Sequence, residues 1–391
     1  MKKKILFVVS NMESGGVSKS MSSLLNIVDT NIYDVDCFIL SPQGIFMDSI
    51  PKEINIITGR RTEMLFLKFP NNILQLTKSG FIMDACLRIV SAFFMLFNKG
   101  IGGWILSRRI HKITSSYDLA VDFNGQHQLY YLIDRIKAKK KVTFFHNDYS
   151  KWSYYYMMDK KYMPLTNKIF SVSEECVKSL KFYFPKEENK IALFENISSI
   201  DTITNLSQSK LYDTNFDKTV VNLISVGHIC KRKGSDIALK AAKILKDRGK
   251  SFKWYFIGKN DESDFYEKFV NKNDLQDYII FLGLKSNPYP YIKQADILVH
   301  PSQFEGKSIA LDEAKILCKP IVVTNFSTVY DQFTDRVNAS ICEMNPKDLA
   351  DKIEELLTNV ALRNQYSAYL AQHQKDNTAE IEKLYKLLNT T

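Results

Sequence analysis

The chain has 391 residues, of which 45% are hydrophobic and 25% are charged. This length and composition exclude disordered and fibrous proteins and leave room for two domains. The net charge of +10 favours acidic partners: phosphorylated substrates, anionic lipid or nucleic acid. Nucleic acid is the least favoured of these, because no recognised nucleic-acid-binding module accompanies the charge.

The cysteines are scattered singly, without a CxxC pair or a Cys/His spacing suited to zinc. This usage predicts reduced thiols in a cytosolic protein, with neither a disulfide nor a structural metal. Near the N-terminus, the apolar run ILFVV is too short for a secretion signal and is expected to form a first β-strand.

Short β-rich runs alternate with helical patterns through the first half of the chain, which predicts a parallel sheet covered by helices. The predicted strands cover residues 5–9, 35–40, 119–123, 142–145 and 169–172, and helices are predicted at 17–28 and 174–183. Residues 1–195 are therefore expected to form an N-terminal Rossmann-like domain.

A second α/β series follows a polar segment, residues 196–218, that lacks a strong period and suits a linker. Its predicted strands cover residues 220–226, 254–257, 279–282, 297–300 and 321–324. The expected second domain covers 219–375, with a last helix at 376–391 packing back on the first domain. The fold class is thus α/β, with two Rossmann-like domains whose parallel sheets face a central cleft.

Residues 62–113 interrupt the alternation of the first domain. Phe, Ile, Leu, Val and Met crowd residues 81–97, and Lys and Arg residues lie around them. The uninterrupted apolar run is too short to span a bilayer. Two interpretations remain open: an amphipathic surface that associates with an anionic membrane, and an ordinary pair of core helices.

Two glutamates, Glu305 and Glu313, are separated by seven residues that include a predicted helix start. Eight helical residues would span roughly 12 Å, comparable to the reach of a sugar linked through a diphosphate to a ribose. Carboxylates accept hydroxyl hydrogens strongly, the helix N-terminus favours an anion, and Ser308 is expected to cap that helix. The alternative is a chance spacing of two surface glutamates.

Two glycine-containing loops follow predicted strands and precede helices. Gly15 and Gly16 would let the backbone approach a ligand closely. In the loop 225–234 three consecutive cations would neutralise a leaving diphosphate, and Lys233 beside Gly234 is the preferred candidate. A plain turn and a solvated basic loop are the respective alternatives. His146 ends another strand, where a structural histidine is the default interpretation.

Taken together, Gly15-Gly16, His146, the Val-Gly-x5-Lys-Gly loop and Glu305-x7-Glu313 resemble the retaining glycosyltransferases of GT-B fold. That large family contains relatives of bacterial glycogen synthase, sucrose synthases and cell-surface polysaccharide transferases. The resemblance covers nearly the whole chain, and EGKSIALDEAKILCKPIVVTN looks like the capsular or exopolysaccharide subgroup.

The resemblance implies a role for each matching residue. Glu313 would bind the donor ribose, Glu305 the transferred sugar and Lys233 the diphosphate, while Phe281 and Gly283 match the region near the base. The implied catalytic residues are Lys233, Glu305 and His146. The implied donor-binding residues are Gly16, Gly227, His228, Arg232, Gly283, Gly306, Lys307, Ser308, Ile309 and Glu313. No metal and no cofactor are implied beyond the nucleotide-sugar donor.

The chain departs from the family pattern at two places. His228 stands where the family commonly has Arg, so we expect Lys231 or Arg232 to supply the missing charge. Lys307 and Ser308 replace the usual Phe-Gly, which alters the sugar pocket and adds a cation. Both changes bear on donor identity.

The expected function is transfer of a hexose from a nucleotide diphosphate sugar, with UDP as the expected nucleotide, to a lipid-linked saccharide in cell-surface polysaccharide synthesis. The expected location is the cytoplasm, at the inner face of the cell membrane. Two alternatives remain: another GT-B enzyme, such as a UDP-sugar epimerase or a phosphorylase, and a non-catalytic glycosyltransferase-like partner protein.

Overall fold

The computed structural model describes residues 2–214, 216–260 and 262–389, and they divide into two compact units. Unit 1 runs from the N-terminus to Ile197 and resumes at Thr378, whereas unit 2 comprises Ser198–Asn377. Each unit is a parallel sheet covered by helices. The predicted fold class, two Rossmann-like α/β domains, is therefore confirmed.

Within the described residues, seven parallel strands form the sheet of unit 1, in the order β3-β2-β1-β4-β5-β6-β7. The strands are β1 Lys3–Val9, β2 Tyr33–Ile39, β3 Asn55–Ile57, β4 Ser116–Asp122, β5 Lys137–Phe145, β6 Lys168–Ser171 and β7 Ile191–Leu193. The central strands are buried on both faces, as a parallel sheet requires. Each of the five predicted strands is present, whereas β3 and β7 lie at the edges and had no predicted counterpart.

The helices of unit 1 cover both faces of this sheet. They are α1 Gly16–Ile27, α2 Arg60–Phe66, α3 Asn71–Lys78, α4 Ile82–Phe97, α5 Lys99–Ser107, α6 His127–Arg135, α7 Tyr156–Tyr162 and α8 Glu174–Tyr183. Helices α2 to α5 occupy the segment that interrupts the strand pattern. Among the described residues, no helix is long and apolar enough to cross a membrane.

Unit 2 has a parallel sheet of order β10-β9-β8-β11-β12-β13. Its strands are β8 Val221–Val226, β9 Phe252–Ile257, β10 Ile279–Gly283, β11 Ile297–His300, β12 Ile321–Thr324 and β13 Ser340–Cys342. Its helices are α9 Ile200–Leu206, α10 Ser235–Asp247, α11 Ser263–Lys272, α12 Tyr289–Gln294, α13 Ile309–Ile316, α14 Pro346–Thr358 and α15 Val360–Gln372. The predicted bounds of β11 and β12 agree with the structure.

The segment expected to be a linker, residues 196–218, is instead largely part of unit 2. It contains helix α9, and the side chains of Ile203 and Phe216 are buried in the hydrophobic core of that unit. The polar composition hid these two anchors, because isolated apolar residues in a polar segment carry no helical period.

The last helix, α16 Glu382–Asn389, returns to unit 1. Ile381, Leu384 and Leu388 are buried in the core that β1 and β4 share with α1. Tyr385 stacks on Tyr33 with 4.7 Å between ring centroids, and its hydroxyl accepts from the Asp29 amide at 3.0 Å. The amphipathic spacing of this helix accounts for that packing.

Candidate active site

The strand order of each sheet reverses at one point, between β8 and β11 in unit 2 and between β1 and β4 in unit 1. Ligands of open α/β sheets bind beside the carboxyl ends of the strands at such a point. In unit 2 the loops that leave these ends carry Lys233 and Glu305. The sequence-predicted residues therefore lie where the topology favours a ligand.

Glu305 is the centre of a buried ionic cluster in unit 2. Its Oε1 atom accepts from Lys233 Nζ at 2.5 Å and lies 2.9 Å from His300 Nε2. Glu305 is 7% exposed and His300 is 4% exposed, so water has little access to the cluster. The Thr328 hydroxyl donates to the Glu305 carbonyl at 3.1 Å and holds the loop in place.

The environment of Glu305 keeps its carboxyl ionised. Burial alone would raise the pKa, but the charge of Lys233, followed by the hydrogen bond from His300, outweighs burial and holds the pKa well below its usual range. A carboxylate fixed in this way is a permanent acceptor for sugar hydroxyls, and the cluster also holds Lys233 at the ligand edge.

Gly234 explains how the basic loop comes to lie against the Glu305 loop. Its backbone is left-handed, with φ 71°, and an added Cβ atom would lie 1.8 Å from the Pro301 carbonyl oxygen. The Gln303 amide also donates to the Arg232 carbonyl at 3.1 Å. Only glycine permits this approach, which places Lys233 beside Glu305. The Lys231 and Arg232 side chains of the same loop are exposed.

Three glycines with positive φ end the neighbouring strands β8, β9 and β10. Gly227, Gly258 and Gly283 have φ values of 148°, 151° and 69°. The Gly258 amide donates to the Gly283 carbonyl at 2.9 Å, and a Cβ on Gly258 would lie 1.8 Å from the Gly227 carbonyl oxygen. At the carboxyl ends of these three strands the surface of the sheet is therefore backbone without side chains. A flat group of a ligand would have room there. Phe281 packs partly buried against the core.

Glu313 lies in α13 and is 1% exposed. Its Oε1 atom accepts from the Tyr289 hydroxyl of α12 at 3.0 Å. Helix α13 begins at Ile309, close to the expected start, but the expected cap is wrong: Ser308 occupies the N-cap position without a side-chain cap hydrogen bond. Ser308 is buried, and its hydroxyl does not cap the N-terminal amides of the helix.

The cation that distinguishes this chain, Lys307, is almost enclosed, with 7% of its side chain exposed. Its Nζ atom lies 3.9 Å from Asp312 Oδ2, while Asp312 Oδ1 accepts from Lys315 at 2.7 Å and from Gln332 at 3.0 Å. Gly306, which precedes Lys307, is buried. The loop before α13 thus contains an ordered cation between Glu305 and Glu313 in the sequence.

A small pocket in unit 2 joins the basic loop to the end of β11. Gly227, His228 and Lys233 line it from one side, and His300 and Pro301 line it from the other. His228 is half-buried there. The structure therefore places His228 and Lys233 on the same side of one pocket.

Unit 1 has its own cavity, of about 200 Å³, at the carboxyl ends of β1, β4 and β5. Ser10, Asn124, Gln126, His146 and Trp152 are among its lining residues. Gly16 is the first residue of α1 and is exposed, next to Val17, which also lines the cavity. Amides, an imidazole and an indole ring together suit a polyhydroxylated ligand.

His146 Nε2 lies 2.9 Å from the Phe123 carbonyl oxygen, so its orientation is fixed by the backbone. Burial lowers the pKa of His146 to about 4, which makes the imidazole neutral at pH 7. His146 also hydrogen-bonds the Asn196 side chain, so the imidazole has a structural role while its ring lines the cavity.

Asp122, at the end of β4, is a fully buried carboxyl without a cation beside it. It accepts from Thr143 Oγ1 at 2.6 Å, from the Asn124 amide at 3.0 Å and from the Gly125 amide at 2.9 Å. Burial raises the pKa of Asp122 to about 7 despite these hydrogen bonds. The residue shapes the loop that lines the cavity.

Sequence reasoning missed four of these residues: His300, Tyr289, Gly258 and Asp122. Asp122 lies within a predicted strand and His300 ends one, so both were assigned to the sheet alone. A polar residue at the last position of an otherwise apolar strand is the signal that would have identified them. Among the described residues, no group of three His, Cys, Asp or Glu is placed to hold a metal ion.

Residues 210–373 match the model of the family Glycosyl transferases group 1. The matched range includes the ionic cluster, the three glycines and Glu313. Unit 2 is therefore similar, over this range, to the glycosyl transferases of group 1. The match does not extend into unit 1.

Curated glycosyltransferases match part of this chain. The chain is 26% identical over 175 residues to the poly(ribitol-phosphate) alpha-N-acetylglucosaminyltransferase of Staphylococcus aureus, which covers 42% of this chain and 35% of that protein. It is 26% identical over 230 residues to the capsular polysaccharide biosynthesis glycosyltransferase CapM of Staphylococcus aureus, covering 54% and 58%. The matches span about two-fifths or less of the first relatives' own length.

Solved structures match the whole chain and establish its fold as GT-B. The structure of Anabaena HepE in complex with UDP and glucose aligns over 100% of both chains, with a TM-score of 0.69 and 13% identity. At this identity the likeness concerns the fold. The chain thus has two Rossmann-like domains arranged in sequence as in GT-B structures.

Proposed function

We propose that this protein is a retaining glycosyltransferase that moves a hexose from a UDP-sugar to a lipid-linked saccharide acceptor in cell-surface polysaccharide synthesis. The observation that carries the proposal is the buried cluster of Lys233, Glu305 and His300 inside the region that matches the group 1 glycosyl transferase model. The relatives named for capsular polysaccharide and poly(ribitol-phosphate) glycosylation support a role in cell-surface polysaccharide synthesis.

The proposed chemistry needs no group beyond the two substrates. The bond between the anomeric carbon and the diphosphate oxygen breaks, and the acceptor oxygen bonds to the same face of that carbon. The acceptor proton passes to the departing diphosphate. Lys233 stabilises the charge that develops on this leaving group, which is the largest kind of contribution a preorganised site makes. Glu305 orients the sugar, and Glu313 accepts from the ribose.

Unit 1 would supply the acceptor site and the contact with the membrane. Helix α4 exposes a continuous apolar face, with Leu96 81% and Phe97 76% exposed, and Lys78 and Lys99 lie exposed at the adjoining helix ends. An apolar face beside cations suits the inner, anionic surface of a cytoplasmic membrane. Replacing Phe93 and Phe97 by Glu should therefore reduce sedimentation with phosphatidylglycerol vesicles, and unchanged sedimentation would contradict this part of the proposal.

The decisive experiment combines binding and turnover. Thermal shifts with a panel of nucleotide sugars should identify a stabilising UDP-sugar, and NMR of the product should show the anomeric configuration of the donor retained. Conversion of the donor without an acceptor would favour an epimerase instead. Stabilisation by no nucleotide sugar, together with absence of transfer, would favour the non-catalytic partner protein.

A further inference from the structure

Helix α4 has an outer and an inner face. The outer face presents exposed apolar side chains, namely Ile82, Met83, Ile89, Val90, Phe93, Phe94, Leu96 and Phe97. The inner face follows positions 84, 88, 91 and 95, which recur at helical spacing. Asp84 and Ser91 on this stripe are buried, and the Ser91 hydroxyl donates to the Gly102 carbonyl at 2.8 Å. Arg88 lies on the same stripe.

Arg88 is half-buried and lacks an acceptor. Its Nε atom is buried without a hydrogen-bond partner, and no hydrogen bond or ion pair joins Arg88 to any residue among 2–214, 216–260 and 262–389. Asp84, one turn away, accepts instead from Arg109 Nε at 2.6 Å. Burial lowers the pKa of Arg88. A guanidinium nitrogen buried without an acceptor is costly, so an external anion bound to Arg88 would stabilise the protein.

His127 presents a second unsatisfied nitrogen. Its ring stacks on Phe66 with centroids 5.2 Å apart, and its Nε2 atom is buried without a partner. Burial, and then the charge of Arg88, lowers the pKa of His127 to about 4. His127 also lines the cavity of unit 1 and is the first residue of α6.

The start of α6 adds backbone donors to these two side chains. Gln126 occupies the N-cap position and makes no side-chain cap hydrogen bond. First-turn amides of a helix point outward and favour an anion. A guanidinium, a neutral imidazole and helix amides are together the donor set that proteins use for phosphate.

We propose that Arg88 and His127 bind a phosphate group at the head of a lipid-linked acceptor. Arg88 lies on the inner face of the helix whose outer face is apolar, so one helix would contact the lipid environment on one side and the phosphate on the other. The saccharide beyond the phosphate would occupy the cavity that His127 lines with Asn124 and Gln126. The lipid-linked nature of this ligand rests on the proposed function, whereas phosphate binding by Arg88 does not.

The test uses farnesyl diphosphate as the probe and farnesol as its phosphate-free counterpart, titrated calorimetrically into the full chain with UDP at saturation. Arg88→Gln should weaken farnesyl diphosphate binding at least about tenfold, because a charged hydrogen bond is lost. Farnesol binding should be unchanged. His127→Phe keeps the ring stacking and should give a smaller loss, and Arg88→Lys should retain part of the affinity.

Lys68→Gln is the matched control, since it removes one exposed cation from the same segment and should leave farnesyl diphosphate affinity unchanged. Equal affinity of the Arg88→Gln variant and the unmodified protein for farnesyl diphosphate would overturn the proposal, as would an equal loss for farnesol. Inorganic pyrophosphate binding as tightly as farnesyl diphosphate would assign the site to soluble phosphates and overturn its lipid-linked part. Failure to bind UDP-sugars would count against the proposed function alone.

Discussion

Each unit buries one carboxylate at the point where its strand order reverses, and the two differ in what surrounds them. Glu305 in unit 2 accepts from a lysine and a histidine, and its pKa is held well below the usual range. Asp122 in unit 1 accepts only from a hydroxyl and backbone amides, and its pKa is raised to about 7. Both carboxyl groups are buried to a similar extent, so the presence of Lys233 beside Glu305 explains why their pKa values shift in opposite directions.

The difference teaches how the work is divided between the units. A permanent ion pair at the ligand edge of unit 2 suits a donor whose diphosphate gains charge as it leaves. The edge of unit 1 is lined by amides and a neutral imidazole, which suit the hydroxyls of a saccharide. The comparison predicts that activity requires the charges of Lys233 and Glu305 in unit 2, whereas it does not require a charge on Asp122 in unit 1.

The largest expected effect follows removal of the cation in unit 2. Lys233→Ala should lower kcat about 10²–10³-fold, because a preorganised group that meets developing charge is lost. It also leaves Glu305 buried without its lysine, so unit 2 should lose stability by about 3 kcal/mol. Steady-state kinetics with the best donor, together with denaturant unfolding, measures both.

Lys240→Ala provides the matched control, since this lysine lies in α10, the helix that follows the same loop, and its side chain is exposed. Its kcat should stay within about twofold of the unmodified protein, as expected for a screened surface charge. Equal losses of kcat in both variants would mean that these lysines act through the net charge of unit 2. The ion pair of Lys233 with Glu305 would then have no special part in catalysis.

A smaller effect is expected at Glu313, a third buried carboxylate, which accepts from the neutral hydroxyl of Tyr289. Glu313→Ala should raise the donor KM about tenfold with a modest change in kcat, because a ribose contact is made equally in the ground state and the transition state. Glu313→Gln should recover part of the affinity. A kcat loss as steep as that of Lys233→Ala would show that Glu313 takes part in the chemistry.

The sheet of each unit was predictable because apolar runs of four to seven residues are a strong local signal. The strands Asn55–Ile57, Ile191–Leu193 and Ser340–Cys342 were not, since each has three residues and lies towards a sheet edge. Helix α9 was missed because only Ile203, which is buried, and Ile200, which is partly buried, pack it against the core, too few apolar residues for a helical period.

The candidate site was predictable where residues adjacent in the sequence determine the local geometry. Lys233 and Gly234 are adjacent, and the left-handed Gly234 places the lysine against the Pro301 loop. The partnership of Glu305 with His300 was not predictable, because it depends on the loop folding back so that residues five apart meet. The pKa of Asp122 was equally inaccessible, since it follows from burial rather than from neighbours in the sequence.

The smallest expected effect concerns the pH dependence of stability and sharpens the comparison directly. Folded Asp122, with a pKa of about 7, keeps a proton that the unfolded chain releases near pH 4, so unit 1 should lose stability as pH rises from about 4 to about 7. Asp122→Asn removes this loss, and relative to the unmodified protein the variant should gain roughly 2–4 kcal/mol of stability across that range.

Glu305 has the opposite effect on the pH dependence of stability. Its lowered pKa stabilises unit 2 at pH values above the usual pKa of glutamate, and that stabilisation is lost as pH falls below about 4.5. Hydrogen exchange of peptides from β4 and β11, corrected for the intrinsic pH dependence, separates the two units. The same pH trend in both peptides, unaffected by Asp122→Asn and by Glu305→Gln, would show that the two carboxylates do not differ in charge.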